Sequence, residues 1–590
     1  MNYPTIKKSE HKITPNLPDY EEAYSNFDWE EMKKEIHYFE DGTLNAAYNA
    51  LDKHKGTETE NKTALIFIDT NNKEQTFNYG DLIKQTNQFA NTLKSLEIKK
   101  GDRVFMFLPR IPELYISFLG TLKLGAIAGN LFAAFGKEAL EDRLKDSKAK
   151  VLITTSELLE RVNEVKDQLP HLKKIIVTDA AGSTPFKGTG GSIEPLSYHN
   201  LMSKASEEFE CAHLDEDSPS YMLYTSGTTG KPKGVIHAHG DIVQQHLTSK
   251  WILDIKPEDI YWCTADPGWV TGVVYGIIGP WSNGTTQIVH GGRFDPDTWY
   301  SIIEKHKVSI WYTAPTAIRM LMTKPEILEK YDMSSIRYMA SVGEPLNPEA
   351  IVWGKKHLNL PIHDNYWQTE TGSIVIANYP SMDIKPGSMG KPFPGIEAAI
   401  IDPKGIELEP EQEGDIALKS IWPSRMKMIW GNEEKFKSYF REAKGPQGIQ
   451  HWYLTGDKGK KDTDGYFWFI GRDDDVIKTA GERVGPFEVE SALVAHPAIA
   501  EAGVIGKPDE MRGAIIKAFI KLNPGFEGSD TLKEEIQQFT KKQLAGHAYP
   551  REIEFREKLP KTRSGKIMRR VLKQEELGED VGDISTMEEY

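Results

Sequence analysis

The stretch Tyr224-Thr-Ser-Gly-Thr-Thr-Gly-Lys-Pro-Lys-Gly234 gathers hydroxyls, glycines and ammonium groups into one short loop. Side-chain O–H groups, glycine-freed backbone N–H groups and cations are the donors that a phosphate needs. The loop is not a Walker A motif. That motif requires Gly-x4-Gly-Lys followed by Ser or Thr, whereas Gly230-Lys231 runs into Pro232. No hydroxyl then follows to hold Mg²⁺, and no helix can start as that loop requires. A plain solvated Gly/Ser/Thr turn is the competing reading. The second lysine, Lys233, and segments far downstream weigh against it.

Five of those segments carry groups of the same kind. Ser341-Val-Gly-Glu-Pro345 reads as a tight turn after an apolar run. Asp364-Asn-Tyr-Trp-Gln-Thr-Glu-Thr-Gly372 sets an aromatic pair beside hydroxyls and Glu370. Tyr453-Leu-Thr-Gly-Asp457 reads as a short strand ending in a carboxylate, and Gly471-Arg-Asp-Asp-Asp475 as a charged turn. Lys561-Thr-Arg-Ser-Gly-Lys566 is a basic loop near the C-terminus. Singly, each has a bland reading: a capped turn, a surface ion pair, a solvated cation.

In this order the segments resemble the adenylate-forming superfamily of acyl-CoA synthetases, firefly-type luciferases and peptide-synthetase adenylation domains. The resemblance runs from about residue 76 to about residue 573. Within it, Trp262-Cys-Thr-Ala-Asp-Pro-Gly-Trp-Val-Thr-Gly272, Tyr312-Thr-Ala-Pro-Thr-Ala-Ile-Arg319, Trp367-Gln-Thr-Glu-Thr-Gly372 and Leu559-Pro-Lys-Thr-Arg-Ser-Gly-Lys-Ile-Met-Arg-Arg570 are similar to the AMP-forming acetyl-CoA synthetases. That branch implies two half-reactions at one site. Acetate attacks the α-phosphorus of Mg·ATP, and after rotation of the small domain CoA thiolate attacks the acyl carbon.

The resemblance also implies roles residue by residue. Lys566, Glu370 and Thr225 form the catalytic set, with Lys566 neutralising carboxylate and α-phosphate as they approach. Thr225, Ser226, Gly227, Thr228, Thr229, Gly230 and Lys231 hold the β/γ-phosphates. Gly343, Glu344 and Pro345, with Asp364, Asn365, Tyr366, Trp367, Gln368 and Thr369, lie on the adenine and α-phosphate side. Asp457 accepts both ribose hydroxyls, as a two-oxygen carboxylate can, Arg472 assists there, and Arg483 meets phosphate. Thr369 and Glu370 lie where Mg²⁺ is held, and Val494, His496 and Ile499 match a second cation turn. Asp474 is the hinge. Lys566 is also implied as a target for a lysine acetyltransferase and deacetylase, because acetylation deletes its charge.

Val270, Thr271, Val342 and Trp367 match the walls and floor of the acetate pocket. An indole at 367 fills the space that several methylenes need, so long acids are excluded sterically. Propionate is rejected more weakly, since one methylene is worth about 1–3 kcal/mol. The CoA contacts Thr271, Ala480 and Lys541 match less well: Ala480 replaces a serine, and Lys541 replaces an arginine and loses the planar fork. His237 and His239, spaced His-x-His, read as structural or substrate-lining because no third ligand is near in sequence.

These groups need a frame. Val104–Leu108, Val151–Thr154 and Ile175–Val177 are short apolar runs alternating with helical periodicity, as are 260–264, 309–313 and 336–341. The alternation predicts parallel α/β sheets covered on both faces. With short β segments at 390–420 and a helix from Pro486 through Val494, the expected fold is α/β. It has a large N-terminal domain of stacked sheets with a β subdomain, and a small mobile α+β C-terminal domain. The expected division is a wrapping segment 1–75, a large domain 76–473 and a small domain 474–590.

Length and composition agree with an ordinary globular protein of several domain-sized units. The chain has 590 residues, a formal charge of −15, 39% hydrophobic and 27% charged residues. An acidic balance argues against a general nucleic-acid binder. Two cysteines make neither a disulfide framework nor a zinc site. The polar N-terminus and the shortness of the apolar run 272–281 predict no membrane association and a cytoplasmic location. A broad short-chain or propionyl-CoA synthetase, an adenylation module feeding a carrier protein, and a non-catalytic AMP sensor remain as competing readings.

Overall fold

The computed structural model describes residues 3–8, 14–179, 193–225, 232–419, 421–445, 448–473, 475–479, 482–509, 511–544, 548–562, 566–581, 584 and 587. Among them, the apolar runs become two large sheets. The first orders its nine strands as Lys391–Pro392, Ile376–Ala377, Ile362–Tyr366, Tyr338–Ser341, Ile310–Thr313, Ile260–Cys263, Thr286–His290, Thr63–Ile68 and Glu74–Asn78. The six middle strands are parallel, and antiparallel strands close both ends. The second sheet runs Met428–Ile429, Lys233–Ala238, Pro219–Thr225, Ile127–Phe132, Arg103–Leu108, Val151–Thr154, Lys174–Val177 and Pro195–Ser197. Strands such as Ile127–Phe132 are buried along their whole length, as expected where helices cover both faces. The expected α/β architecture is the one observed.

The segment expected to wrap the body does so only in its first part. Ile6 pairs with Ile384, Leu44 with Leu214, and the Tyr20 ring lies 5.0 Å from that of Tyr379. Within the segment 1–75, Thr63–Ile68 and the start of Glu74–Asn78 form strands of the nine-stranded sheet. Ala64-Leu-Ile-Phe-Ile68 is a continuous apolar run of the kind that a buried parallel strand requires.

A five-stranded antiparallel sheet follows, built on the long strand Gly448–Lys461. The sequence reading ended a strand at Asp457, but the strand continues to Lys461. Gly456 takes φ +75, and the register with Glu413–Lys419 shifts beside it. A left-handed glycine absorbs such a bulge and re-aims the next side chain, so Asp457 is presented from mid-strand. The small domain pairs Ile499–Asp509, Gly513–Leu522 and Glu552–Phe555. Helices Pro486–Val494 and Asp530–Gln543 pack on them around Val489, Leu493, Val504, Ala518 and Ile536.

Candidate active site

Three pieces of the large domain and one of the small domain converge. The first is the hairpin that flanks the phosphate-type loop. Pro219–Thr225 runs into it and Lys233–Ala238 runs out, with Thr225 opposite Lys233. Ser226, Gly227, Thr228, Thr229, Gly230 and Lys231 lie outside the described residues. The Thr225 hydroxyl is buried and has no hydrogen-bond partner among the described residues. Lys233 points to Glu370, its Nζ 3.0 Å from Oε1. The Tyr439 hydroxyl donates to the same oxygen at 2.9 Å. Burial pushes the Glu370 carboxyl up, but the Lys233 ammonium and the Tyr439 hydroxyl outweigh it and hold it below the usual carboxylate range. Glu370 is therefore a buried anion.

The second piece is the segment 364–371. Asp364 is buried in the strand Ile362–Tyr366, and burial raises its carboxyl to about 8 against the amides of Asn365 and Leu346. Asn365 accepts from the Tyr312 hydroxyl at 2.9 Å and donates to the Ser341 carbonyl at 2.8 Å. The Tyr366 hydroxyl donates to Asp457 Oδ2 at 2.6 Å, and Gln368 Nε2 donates to the same oxygen at 2.9 Å. The Thr369 carbonyl is bonded at 2.8 Å by His237 Nε2, whose Nδ1 lies 2.7 Å from Asp241. His237 thus positions the Thr369 turn. His239 is buried and accepts from the Ala46 amide at 3.1 Å. Both histidines are held by hydrogen bonds within the large domain.

Trp367 belongs to the third piece, an apolar wall. It packs on the core cluster that contains Val270, Val342, Tyr275, Tyr312 and Ile374. Its ring meets Tyr275 edge-on at 5.0 Å. Val270 and Thr271 open a helical stretch that widens into a π-helical turn over Val274–Ile278. Such turns re-aim side chains at functional sites, and this one carries Tyr275 to the indole. Between that turn and Trp367, Gly343 takes φ +100, which allows the chain to turn sharply after the strand Tyr338–Ser341. The next residue, Glu344, is bound at 2.8 Å by Arg319 and also by Thr316. Its carboxylate is committed within the large domain.

The small domain supplies Lys566. The Thr562 amide donates to its carbonyl at 2.7 Å, and Lys561 bridges to Ile567, so a tight loop presents it. Lys566 is an exposed residue, yet desolvation is the largest influence on its ammonium. That desolvation, then repulsion from Arg472 and Arg569, lowers its pKa, while Asp457 and Asp475 oppose the shift. Asp457 stands opposite Arg472 across two strands. Burial raises its carboxyl, opposed by the Tyr366 hydroxyl, Arg472 and Lys566. Asp457, Arg472 and Lys566, far apart in sequence, thus share one electrostatic neighbourhood.

Other candidates lie elsewhere. His496 is committed at both nitrogens, with Nδ1 accepting from Ala498 at 3.2 Å and Nε2 lying 3.4 Å from Glu535. Its carbonyl accepts from Ile499, and Val494 ends the preceding helix. Among the described residues no cluster of three or more His, Cys, Asp or Glu could hold a metal ion. Lys541 sits over the Tyr549 ring at 5.4 Å, and Arg551 reaches the same ring at 5.0 Å. Arg483 lies on the strand Glu482–Val484. Asp474 and Ala480 fall outside the described residues. Sequence reasoning missed Tyr439 and Asp241, which have no motif to announce them.

The AMP-binding enzyme family matches residues 52–430, and the AMP-binding enzyme C-terminal domain matches residues 488–566. The chain belongs to the AMP-binding enzyme family. It is 55% identical over 576 residues to an acetyl-coenzyme A synthetase of Bacillus subtilis, covering 97% of this chain and 98% of that one. An acetyl-coenzyme A synthetase of Methanothrix thermoacetophila is 43% identical, with 93% and 86% covered. Among solved structures, an acyl-CoA synthetase of Brucella canis aligns over 95% of this chain and 99% of its own, with TM-score 0.72 and 35% identity. The anthranilate CoA ligase AuaEII in complex with anthranoyl-AMP aligns over 89% and 96%, with TM-score 0.80 and 32% identity. Among the described residues of this family member, no helix is long and apolar enough to cross a membrane.

Proposed function

We propose that the protein is an AMP-forming acetyl-CoA synthetase, converting acetate, ATP and CoA to acetyl-CoA, AMP and pyrophosphate through bound acetyl-adenylate. The observation that carries this reading is the Asp457 carboxylate fixed by Tyr366 and Gln368 opposite Arg472, within electrostatic reach of Lys566 and beside a segment whose Trp367 packs on an apolar wall. In the first step an acetate oxygen bonds to the α-phosphorus and the α–β P–O bond breaks, releasing pyrophosphate. Charge accumulates on phosphorus, so preplaced cations and N–H donors lower the barrier. Lys566 supplies the mobile cation, and Thr225 with residues 226–231 clamps the leaving group. In the second step the CoA sulfur bonds to the acyl carbon and the bond to AMP breaks. Asp457 holds the ribose throughout, with Gly343–Pro345 and 364–369 around the base.

The donors fit Mg²⁺. Glu370 is a buried anion whose described contacts both fall on Oε1, and the Thr225 hydroxyl is unpartnered. One carboxylate plus substrate phosphates is a common Mg²⁺ arrangement. Glu370 and Thr369 would hold the ion, which neutralises the triphosphate. For CoA, Thr271, Ala480 and Lys541 remain the proposed contacts, with Arg551 beside Lys541.

Trp367 makes acetate the favoured acid, with propionate poorer. The exposed Lys566 chain suits an acetyltransferase and a deacetylase, and acetylation would stop the first step. Cys211 and Cys263 are unbonded, which fits a reducing cytoplasm. The deciding assay is ATP–pyrophosphate exchange with acids of increasing length, followed by CoA-dependent AMP release. Exchange should be strongest with acetate. Equal exchange with butyrate would favour a broad short-chain synthetase, and none with any acid would overturn the reading.

A further inference from the structure

Helix Pro348–His357 begins at Asn347, whose backbone has the φ −64, ψ 139 of an N-cap, yet its side chain makes no cap hydrogen bond. Asparagine is among the best N-cap residues because its side-chain oxygen accepts from the first turn. Asn45, Asn78 and Asn432, at the starts of three other helices, all do so. Asn347 spends both ends of its amide elsewhere. Its Oδ1 accepts from Arg319 Nη1 at 3.1 Å, and its Nδ2 donates to Ser491 Oγ at 2.8 Å. Arg319 also holds Glu344 at 2.8 Å, so Asn347 is fixed to the large domain on one side. Ser491 belongs to the small domain, on helix Pro486–Val494.

That helix leads directly to Lys566. Glu490, next to Ser491, binds Arg569 at 2.6 and 2.8 Å, and Arg569 lies three residues beyond Lys566. Arg569 also faces Glu344 electrostatically across the domain boundary. A helix that surrenders its cap bond to reach across this boundary is placed to set the small domain's angle.

We propose that the Asn347–Ser491 hydrogen bond, backed by Arg319, is a latch that holds the small domain where Lys566 faces Asp457, and that it opens for the CoA step. Asn347 and Ser491 are positioning residues that act through Lys566. One net hydrogen bond shifts a two-state equilibrium by about two- to tenfold, enough to favour one orientation without trapping it. The catalytic consequence rests on the synthetase reading above; the orientation itself does not.

The test uses the full chain with Ser491→Ala, and Ser491→Thr to restore the hydroxyl. Energy transfer between dyes on Lys356→Cys and Met511→Cys reads the domain orientation without any turnover. Ser491→Ala should move the distribution toward a second orientation, and Ser491→Thr should bring it back. Acetate-dependent pyrophosphate exchange should fall about fivefold in Ser491→Ala, while the rate from supplied acetyl-adenylate and CoA holds or rises. Unchanged energy transfer, or equal loss of both half-reactions, overturns the latch. If the unsubstituted protein shows no acetate-dependent exchange, the synthetase reading fails, and the energy-transfer arm still decides the latch.

Discussion

The two halves of this site are held in opposite ways. In the large domain, Asp457 sits inside a fourteen-residue strand, buried, with Tyr366 and Gln368 bonded to one oxygen. In the small domain, Lys566 is an exposed residue in a short loop, held through its backbone and through Arg569. The large-domain half is fixed before substrate arrives, which suits the ribose and phosphate contacts proposed for it in both half-reactions. The small-domain half is anchored to its own domain and can leave with it. A site that must show two faces in turn needs this asymmetry.

Removing the mobile cation gives the largest expected effect. Lys566→Ala should lower acetate-dependent pyrophosphate exchange by about 10²–10³-fold, the usual cost of losing one charge-stabilising donor. Conversion of supplied acetyl-adenylate with CoA should survive, because the proposed rotation takes Lys566 out of the site before that step. Equal loss in both assays would remove the contrast between the halves. Arg569→Met attacks the anchor instead. Arg569 and Glu490 are nearly buried, and breaking one side of such a pair costs about 3–5 kcal/mol. Glu490 also accepts from the Val504 amide at 2.9 Å. Hydrogen exchange at Val504 should therefore accelerate while the large-domain sheets stay protected.

The fixed half yields smaller, more selective effects. Trp367→Gly should cut kcat/KM for acetate by about tenfold and raise it for longer acids, as a pocket contact of a few methylenes allows. A loss for every acid alike would make Trp367 a core residue that only supports Tyr275.

How far the sequence reveals this division depends on the range of each contact. Loop 224–234, the 364–372 segment and the Lys566 loop are local patterns, and the two parallel sheets follow from apolar runs. Thr63–Ile68 was readable in the same way, although the wrapping segment before it obscured its start. The Lys233–Glu370–Tyr439 cluster was not readable, because its members are scattered over some two hundred residues and meet only once the sheets have formed. Asn347 was hidden for another reason. In sequence it reads as an N-cap before Pro348, and only the folded chain shows the amide turned to Ser491. The bulge at Gly456 was concealed likewise, since Thr-Gly-Asp looks like a strand end until φ +75 is seen.

A last effect, on stability and not on turnover, tests how rigid the fixed half is. Asp364 is buried with its carboxyl raised to about 8, so the folded protein keeps a proton that the unfolded chain sheds near pH 4. Between about pH 4 and pH 8 the folded state binds more protons, so this group's contribution to stability falls as pH rises and is lost through about pH 8. Asp364→Asn keeps the acceptor for the Asn365 amide, bonded at 3.0 Å, and never ionises. Its Tm should match the unsubstituted protein near pH 4 and exceed it by a growing margin up to about pH 8. Parallel Tm profiles would mean that Asp364 is already ionised in the folded state. The strand Ile362–Tyr366 would then admit enough water or counter-charge to solvate a carboxylate, and the large-domain half would be less rigid than its burial implies.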